Sequence, residues 1–413
     1  MKLPFKDLDH DAYLRLAGTA LWFALFLWLA SLAFVSIYYG WGNDMRHFWG
    51  GARTLIEGHD PYVAIMPYPY LRLAPGEQFH PLPWVGLLFA PLASLPFQSA
   101  VRVWAALNWL LILASIFLIR QHNQSLPPWS TALIAMTVVL MEIRSLQSAQ
   151  LGILVTVAIL SCLACLSSGR SFVAGALLSI GIFKPWIAAA PMGAAILIAL
   201  KRRKPRLLTG FLVGTGIIVL ASTLLWPSWL SSYPKVDFSQ ALGYKVGDTF
   251  LEMWPLATLF DFTKYILHWP QTSSLVILQV AVLGLAVGWI AFETLRKWRA
   301  KQVEDRFLVG VSALIPLVAM PYVRYYDYAI LACWWGLVAP ALVLSHALSP
   351  GRRALVLGLM VLGLSFLFGT HLEPWVYQLV ACLYAATVVG LASLESARGS
   401  GAPLPPATDA PRP

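Results

Sequence analysis

The chain has 413 residues, of which 59% are hydrophobic and only 12% are charged. This composition excludes an ordinary soluble globular protein and indicates a protein embedded in a membrane. The formal net charge of +10 does not indicate nucleic-acid binding, because the basic residues lie in short stretches between apolar segments and form no basic module with interleaved aromatic residues.

Apolar segments whose lengths suit membrane-spanning helices recur along the whole chain, since such a helix needs about 20 residues to cross about 30 Å of hydrocarbon. They lie at about 17–39, 102–119, 129–143, 151–167, 172–184, 186–200, 207–226, 273–293, 307–321, 328–345, 354–369 and 375–393. These segments predict an all-α, multi-pass integral membrane protein. The segment 81–97 is harder to assign, because it would form either a short thirteenth span or a helix in the outer interface.

The distribution of Lys and Arg favours the interface helix. If 81–97 does not cross, one side holds both termini, Arg120, Arg170 and the basic loops at 201–206, 296–306 and 351–353. That side then carries 19 of the 29 Lys and Arg residues. The positive-inside rule makes this side the cytoplasm. We therefore expect about 12 transmembrane helices, with both termini cytoplasmic and the protein in the cell membrane.

This topology predicts a single membrane domain over residues 1–395. It has two long extracytoplasmic loops, at 40–101 and 227–272, and the first of these is expected to carry interfacial helices. The tail at 396–413 is rich in Pro, Ala and Gly, so we expect it to be disordered in the cytoplasm.

An amphipathic helix is predicted over 45–57 in the first outer loop. Its apolar residues recur at intervals of three and four; they are Met45, Phe48, Trp49, Ala52, Leu55 and Ile56. Gly58 is expected to end this helix. We expect the helix to lie flat in the membrane interface, with its aromatic side chains among the lipid headgroups.

Asp44 stands at the start of this helix and has two possible roles. As the N-cap, its carboxylate would accept backbone N–H groups and favour the positive end of the helix. Asn43 is an equally good cap, however, and if it serves as the cap then Asp44 is left to face a reacting group.

Several stretches of the chain together resemble a known family. An Asp just after the first span is followed in order by "GGARTLIEGHDPY", "FHPLPWVGLLFAPLASLP", "AVRVWAALNWLL", "SAQLGILVTVAILS", "GRSFVAGALLSIGIFKPWIAAAPMGAAILIALKRRKPR" and "MPYVRYYDYAIL". Together, over about 20–345, they resemble glycosyltransferase family 87, polyprenyl-phosphate-sugar-dependent enzymes of the GT-C superfamily. The fourth stretch is similar to the family's Gly-Gln loop, although Ala149 stands where the glycine is usual.

This resemblance implies a GT-C-type fold and an inverting hexosyltransferase of the EC 2.4.1 type. The donor would be a polyprenyl-phosphate hexose, with mannose expected, and the acceptor a lipid-linked or cell-envelope glycan on the extracytoplasmic face. By motif position Asp44 is the general base that takes the proton of the acceptor hydroxyl. Inversion needs no second carboxylate as nucleophile. We predict that Asp44 leaves capping to Asn43 and faces the acceptor.

The anionic donor phosphate requires cations near the outer leaflet. Lys184 matches the family's lysine, and Arg324 is the second candidate, although the family often has a histidine near that position. Lys184 has an alternative interpretation as an interface anchor whose ammonium reaches toward water.

The predicted substrate-binding residues are Arg46, His47, Glu142, Arg144, Gln147, Gln150, Tyr325 and Asp327. Structural alternatives remain open for most of them. Glu142 and Arg144 could pair with each other, since ionisable groups near the end of a span need partners or water. The two glutamines could shape their loop, and Tyr325 could belong to an aromatic belt.

No cofactor is indicated by the sequence, although some members of the wider superfamily use divalent ions. His47 and His80 are too far apart in sequence to predict a metal site. Two other functions stay open: a transporter or glycolipid flippase, and a non-catalytic envelope scaffold. The flippase should carry ionisable groups near the membrane midplane, whereas this chain gathers its acids in the predicted outer loops.

Overall fold

The computed structural model describes residues 29–38, 44–63, 79–124, 141–143, 145–236, 273–316 and 325–338, together with a few single residues near 19–27 and 135–139. Within 273–289 and 325–328 some residues are described by their backbone alone. The predicted spans at 354–369 and 375–393, the tail 396–413 and most of the loop 227–272 lie outside the described residues. The described part of the chain is helical and contains no strand.

Twelve α-helices are labelled in chain order within these residues. They are α1 (Leu29–Tyr38), α2 (Met45–Ile56), α3 (Pro83–Ala93), α4 (Phe97–His122), α5 (Gly152–Ser167), α6 (Ser171–Leu178), α7 (Pro185–Lys201), α8 (Arg206–Leu225), α9 (Trp229–Ser232), α10 (Ser273–Arg299), α11 (Asp305–Ser312) and α12 (Leu331–Leu337). Short 3₁₀ helices occupy Ser179–Phe183, Tyr233–Lys235 and Tyr325–Ile330.

Among the described helices, α4 and α8 are long and apolar enough to cross a membrane by length and composition. The predicted span 172–184 is divided into α6 and the 3₁₀ helix Ser179–Phe183. The segment 81–97 contains α3, which has 11 residues. A helix of that length rises about 16 Å, which is too short to cross about 30 Å of hydrocarbon.

Helix α2 agrees with the predicted bounds, but its surroundings differ from the prediction. Its apolar face is buried in the protein, where Phe48 stacks on Phe89 of α3 with ring centroids 4.9 Å apart. The indole nitrogen of Trp49 donates to the carbonyl of Leu95 at 3.1 Å. The expectation that these aromatic side chains lie among lipid headgroups is therefore wrong, because α3 folds back over them.

Helices α6 and α8 cross with their backbones close together. A Cβ at Gly175 would overlap the carbonyl oxygen of Leu207, and one at Gly210 would overlap that of Phe172. Small residues at such a crossing are typical of helix pairs in membranes, where packing rather than the hydrophobic effect drives association. The crossing fixes the direction of α6. The 3₁₀ helix that follows α6 ends directly before Lys184.

The largest buried cluster lies where α5, α7, α11 and α12 meet, and it includes Leu160, Ile198, Val309 and Trp335. A second cluster joins α2 and α3 to the start of α4 and also contains Ala149 and Phe183. Polar residues lie between these two clusters, at the N-terminal end of α7.

Candidate functional site

Asp44 occupies the N-cap position of α2 by its backbone, yet its side chain makes no capping hydrogen bond. Its carbonyl accepts from the N–H groups of His47 and Phe48, at 3.1 and 3.3 Å, and these bonds begin the helix. Its own N–H donates to the carbonyl of Ser148 at 3.2 Å. The carboxylate is therefore not used for capping; Asn43, the predicted cap, lies outside the described residues.

The carboxylate of Asp44 is held on one side. Its Oδ2 accepts a hydrogen bond from Nε2 of Gln150. Among the described residues no hydrogen bond to its Oδ1 occurs, and the residue is partly exposed. One carboxylate oxygen is thus held by Gln150, while the other makes no hydrogen bond within the described part of the chain.

Gln150 is positioned by a tight helix ending. The N–H of Gln150 donates to the carbonyl of Ser145 at 2.8 Å, and that of Ala149 donates to Leu146 at 3.0 Å. These two bonds form a Schellman motif, which requires a left-handed residue at its C′ position. Ala149 takes that position with φ of 54°. The left-handed backbone gives a physical reason for the glycine that is usual in the resembling family.

Lys184 lies at a break between helices. It follows the 3₁₀ helix Ser179–Phe183 and precedes Pro185, and the clash with the proline ring keeps it out of the α region, with φ of −145°. Its side chain is only 3% exposed. Its ammonium donates to Oε1 of Gln150 at 2.7 Å and forms an ion pair with Asp327, whose side chain is fully buried.

Four predicted site residues are therefore connected in one chain of polar contacts: Asp44, Gln150, Lys184 and Asp327. They come from the start of α2, the loop before α5, the start of α7 and the 3₁₀ helix Tyr325–Ile330. The chain runs from a fully buried carboxylate to a partly exposed one. The pair formed by Lys184 and Asp327 was not predicted, although both are ionisable residues in apolar surroundings, which require partners.

Comparison with known proteins places the chain in a family. The family model described as glycosyltransferase family 87 matches residues 81–321, which is more than half of the chain. The chain belongs to glycosyltransferase family 87. Family 87 is a membrane glycosyltransferase family, so the protein is a glycosyltransferase. Neither the comparison with curated proteins nor that with solved structures gives a match.

The family 87 match contains Gln150 and Lys184, whereas Asp44 precedes it and Asp327 follows it. The match therefore identifies the enzyme class through the middle of the chain. The contacts of Asp44 and Asp327 come from the structure, which joins both residues to the matched region.

The other predicted site residues of this family 87 enzyme are distributed more widely. Arg46 is exposed and Gln147 is half-buried. The rings of His47 and His80 lie 6.4 Å apart, so the fold joins two residues that the sequence left separate. No group of three or more His, Cys, Asp or Glu side chains that could hold a metal ion occurs in the described part of the chain.

Glu142 is fully buried, and its Oε1 accepts a hydrogen bond from the hydroxyl of Ser115 at 2.8 Å. Its predicted partner Arg144 lies outside the described residues, as does Arg324. Tyr325 is described by its backbone alone, at the start of the 3₁₀ helix Tyr325–Ile330. Their roles in the family 87 enzyme stay predictions.

An aromatic cluster around Tyr62 was not predicted from the sequence. Tyr62 stacks on Trp226 with centroids 4.5 Å apart and lies 5.2 Å from the ring of Tyr233. Asp60 accepts from the hydroxyl of Ser228 at 2.8 Å, which also joins these two regions. Burial, with Tyr233 and Asp60 nearby, raises the pKa of Tyr62 far above its usual range. These contacts therefore join the middle of the first outer loop to the start of the second.

Proposed function

We propose that the protein transfers a hexose, with mannose as the expected sugar, from a polyprenyl-phosphate donor to a lipid-linked or cell-envelope glycan. Transfer occurs with inversion, and Asp44 is the general base. Family membership supports the reaction class. The observation that carries the role of Asp44 is its carboxylate, which makes no capping bond, is held at Oδ2 by Gln150 and is partly exposed.

The proposed reaction is a single displacement at the anomeric carbon. The acceptor oxygen forms a bond to that carbon while the bond to the phosphate oxygen breaks, and polyprenyl phosphate leaves with the electron pair. The hydroxyl proton passes to Asp44 as the attack proceeds, because a developing oxonium is a far stronger acid than the alcohol. The proton then leaves the carboxylate for water, and the base is restored.

The donor phosphate is expected to be stabilised by cations. Arg324 and Lys184 are the predicted cations, and Arg46 is an exposed cation two residues from the proposed base. The ammonium of Lys184 is buried and already contacts Asp327 and Gln150. Its phosphate-binding role thus stays a prediction that needs a separate test.

The proposed setting is the extracytoplasmic face of the cell membrane, with about twelve spans and cytoplasmic termini. The charge distribution supports this orientation. The short length of α3 supports a helix that does not cross, which keeps the two main basic loops on the same side.

The test compares Asp44→Asn with Glu57→Gln. Glu57 lies at the end of the same helix and forms an exposed pair with Arg53, so it serves as a matched control. Membranes containing each variant are incubated with polyprenyl-phosphate mannose and a glycolipid acceptor extract, and the product is followed by mass. Loss of a general base typically lowers the rate about 10²- to 10⁴-fold. We expect this loss for Asp44→Asn at unchanged protein level, and near-normal transfer for Glu57→Gln. Full transfer by Asp44→Asn would exclude Asp44 as the base.

A further inference from the structure

We propose that Lys184 is a positioning residue for the proposed base. Lys184 is held by Asp327 and fixes the orientation of the Gln150 amide, so that Nε2 of Gln150 donates its hydrogen bond to Asp44. This inference rests on the proposed function, because it concerns how the carboxylate of Asp44 is aimed. It assigns to Lys184 and Asp327 a role that does not require contact with donor or acceptor.

Burial determines the direction of the contacts. The side chains of Lys184 and Asp327 are 3% and 0% exposed, and Gln150 is 7% exposed, whereas Asp44 is partly exposed. The ion pair of Lys184 and Asp327 is therefore the fixed, buried end of this series of polar contacts. Hydrogen bonds to charged groups in such surroundings are stronger than those between neutral groups, so the pair holds its neighbours firmly.

The orientation of the Gln150 amide follows from hydrogen-bond chemistry. A lysine ammonium only donates hydrogen bonds, and an ionised carboxylate only accepts them. Gln150 contacts one of each, so its carbonyl oxygen must face Lys184 and its NH₂ group must face Asp44. The flipped amide would set two donors together at one end and two acceptors together at the other. Lys184 thus excludes the flipped state.

The backbone supports the same arrangement. The N–H of Asp44 donates to the carbonyl of Ser148, so the start of α2 is tied to the loop that carries Gln150. The indole nitrogen of Trp104 donates to the carbonyl of Ala149 at 3.0 Å and holds that loop from α4. With both backbones fixed, the remaining freedom lies in the side chains of Gln150 and Asp44. The contact with Lys184 removes this freedom from the side chain of Gln150.

Direct binding of the donor phosphate by Lys184 makes a different prediction. A phosphate-binding lysine lowers the KM for the donor, and its effect does not depend on Gln150. A positioning lysine acts through Gln150 alone and affects kcat. A double-mutant cycle separates these roles, because residues that act through one another show non-additive effects.

The experiment compares three variants of the full chain in mixed micelles. They are Gln150→Met, the paired variant Lys184→Met with Asp327→Asn, and the combination of all three changes. Asp327 is changed together with Lys184 so that no unpaired charge stays buried. Initial rates are measured against polyprenyl-phosphate mannose over a range of concentrations. Lys235→Met and Gln98→Met are matched controls, since both residues are exposed, and we expect near-normal kinetics from them.

We expect Gln150→Met and the paired variant each to lower kcat about 10- to 100-fold, because small misplacement of a catalytic group has effects of that size. The donor KM should stay within about threefold of its normal value, since this prediction places the loss in kcat. The triple variant should be no slower than Gln150→Met. Multiplied losses in the triple variant, with a raised donor KM in the paired variant, would overturn the proposal and assign Lys184 to the donor phosphate.

Gln150→Glu provides a second test that does not depend on how well the paired variant folds. The new carboxylate keeps an acceptor for Lys184 but offers no N–H group to Asp44. We expect kcat to fall at least 10-fold while the unfolding midpoint stays near normal. Normal kcat in Gln150→Glu would overturn the proposal. Failure of the proposed function is distinguished by Asp44→Asn: transfer by that variant rejects the base itself, whatever the cycle shows.

Discussion

Helix α7 carries a basic residue at each end, and the two ends are built differently. Lys201 lies exposed in the last turn, where its ammonium donates to the carbonyl of Trp298 at 2.5 Å and sits 3.8 Å from the centroid of that ring. Lys184 lies buried at the first turn, where its ammonium contacts the side chains of Gln150 and Asp327. A cation is stabilised by the helix dipole at the C-terminus and destabilised at the N-terminus.

The difference shows at which end of α7 the surroundings oppose the charge of the lysine. At the C-terminal end, dipole, solvent exposure and the contact with the Trp298 carbonyl all favour the charge of Lys201. At the N-terminal end, both burial and dipole oppose the charge of Lys184, and Asp327 compensates for them. A charge kept against two unfavourable effects is typical of a functional site.

The largest expected effect on the free energy of unfolding comes from replacing the lysine at one end of α7 and then, in a separate variant, the lysine at the other end. Lys184→Met leaves Asp327 buried without its ion pair, and breaking a buried pair in this way typically costs about 3 to 5 kcal/mol. Lys201→Met removes an exposed charge with a cation–π contact, which contributes about 1 kcal/mol or less. The free energy of unfolding is measured by SDS titration in mixed micelles.

Adding Asp327→Asn to Lys184→Met provides the control for this comparison. The second change removes the unpaired charge, so most of the lost stability should return. Equal losses for Lys184→Met and Lys201→Met would show that the buried pair behaves like the exposed contact, and the contrast between the two ends would be lost.

The next largest effect concerns the crossing of α6 and α8, which leads the chain into the N-terminal end of α7. A side chain at Gly210 would overlap the carbonyl of Phe172, whereas a Cβ at Gly216 meets nothing within 4 Å. Gly210→Val should therefore lower the free energy of unfolding by roughly 2 to 3 kcal/mol through overpacking. Gly216→Ala should be neutral or stabilise by up to about 1 kcal/mol, because alanine is the better helix former.

The same SDS titration measures both glycine variants. A Gly210→Val protein as stable as Gly216→Ala would contradict the close backbone crossing. If the crossing fixes the N-terminal end of α7 alone, Gly210→Val should also leave the contact of Lys201 with Trp298 intact, which the fluorescence of Trp298 reports against a Trp298→Phe reference.

Local features of the structure could be predicted from the sequence because they depend on neighbouring residues. The intervals of three and four from Met45, and the stop at Gly58, gave the bounds of α2 closely. The charge distribution predicted that 81–97 does not cross; the 11-residue length of α3 agrees with this, and the topology itself stays a prediction. The match at 81–321 confirms the family resemblance. The candidates Asp44, Gln150, Lys184 and Asp327 came from that resemblance, and their roles stay predictions.

Contacts between distant segments could not be predicted. Whether the apolar face of α2 meets lipid or α3 depends on how the chain folds back after residue 63, and periodicity is the same in both cases. The partner of Lys184 depends on the 3₁₀ helix Tyr325–Ile330 reaching the start of α7. Proximity in space decides such pairs, and one sequence carries no direct record of it.

The smallest expected effect compares two left-handed C′ residues, one beside the site and one after the C-terminal end of α7. Arg203 has φ of 53° and closes α7 with the same bond pattern as Ala149: its N–H donates to Leu200 at 3.0 Å, and that of Lys204 donates to Ala199 at 2.8 Å. A non-glycine residue pays roughly 1 kcal/mol for this conformation. Arg203 is exposed, so Arg203→Gly should stabilise the protein by about 0.5 to 1 kcal/mol.

Ala149→Gly should give a smaller gain than Arg203→Gly. It relieves the same backbone strain, but the methyl group of Ala149 is fully buried, and its loss costs about 0.8 kcal/mol. The two effects nearly cancel, so we expect a change within about 0.5 kcal/mol by the same titration. A gain for Ala149→Gly equal to that of Arg203→Gly would show that the buried methyl group contributes nothing. In that case Ala149 would only destabilise the protein, through its left-handed backbone. If the two effects nearly cancel, the packing of the Ala149 methyl group in the second cluster compensates for the absence of glycine.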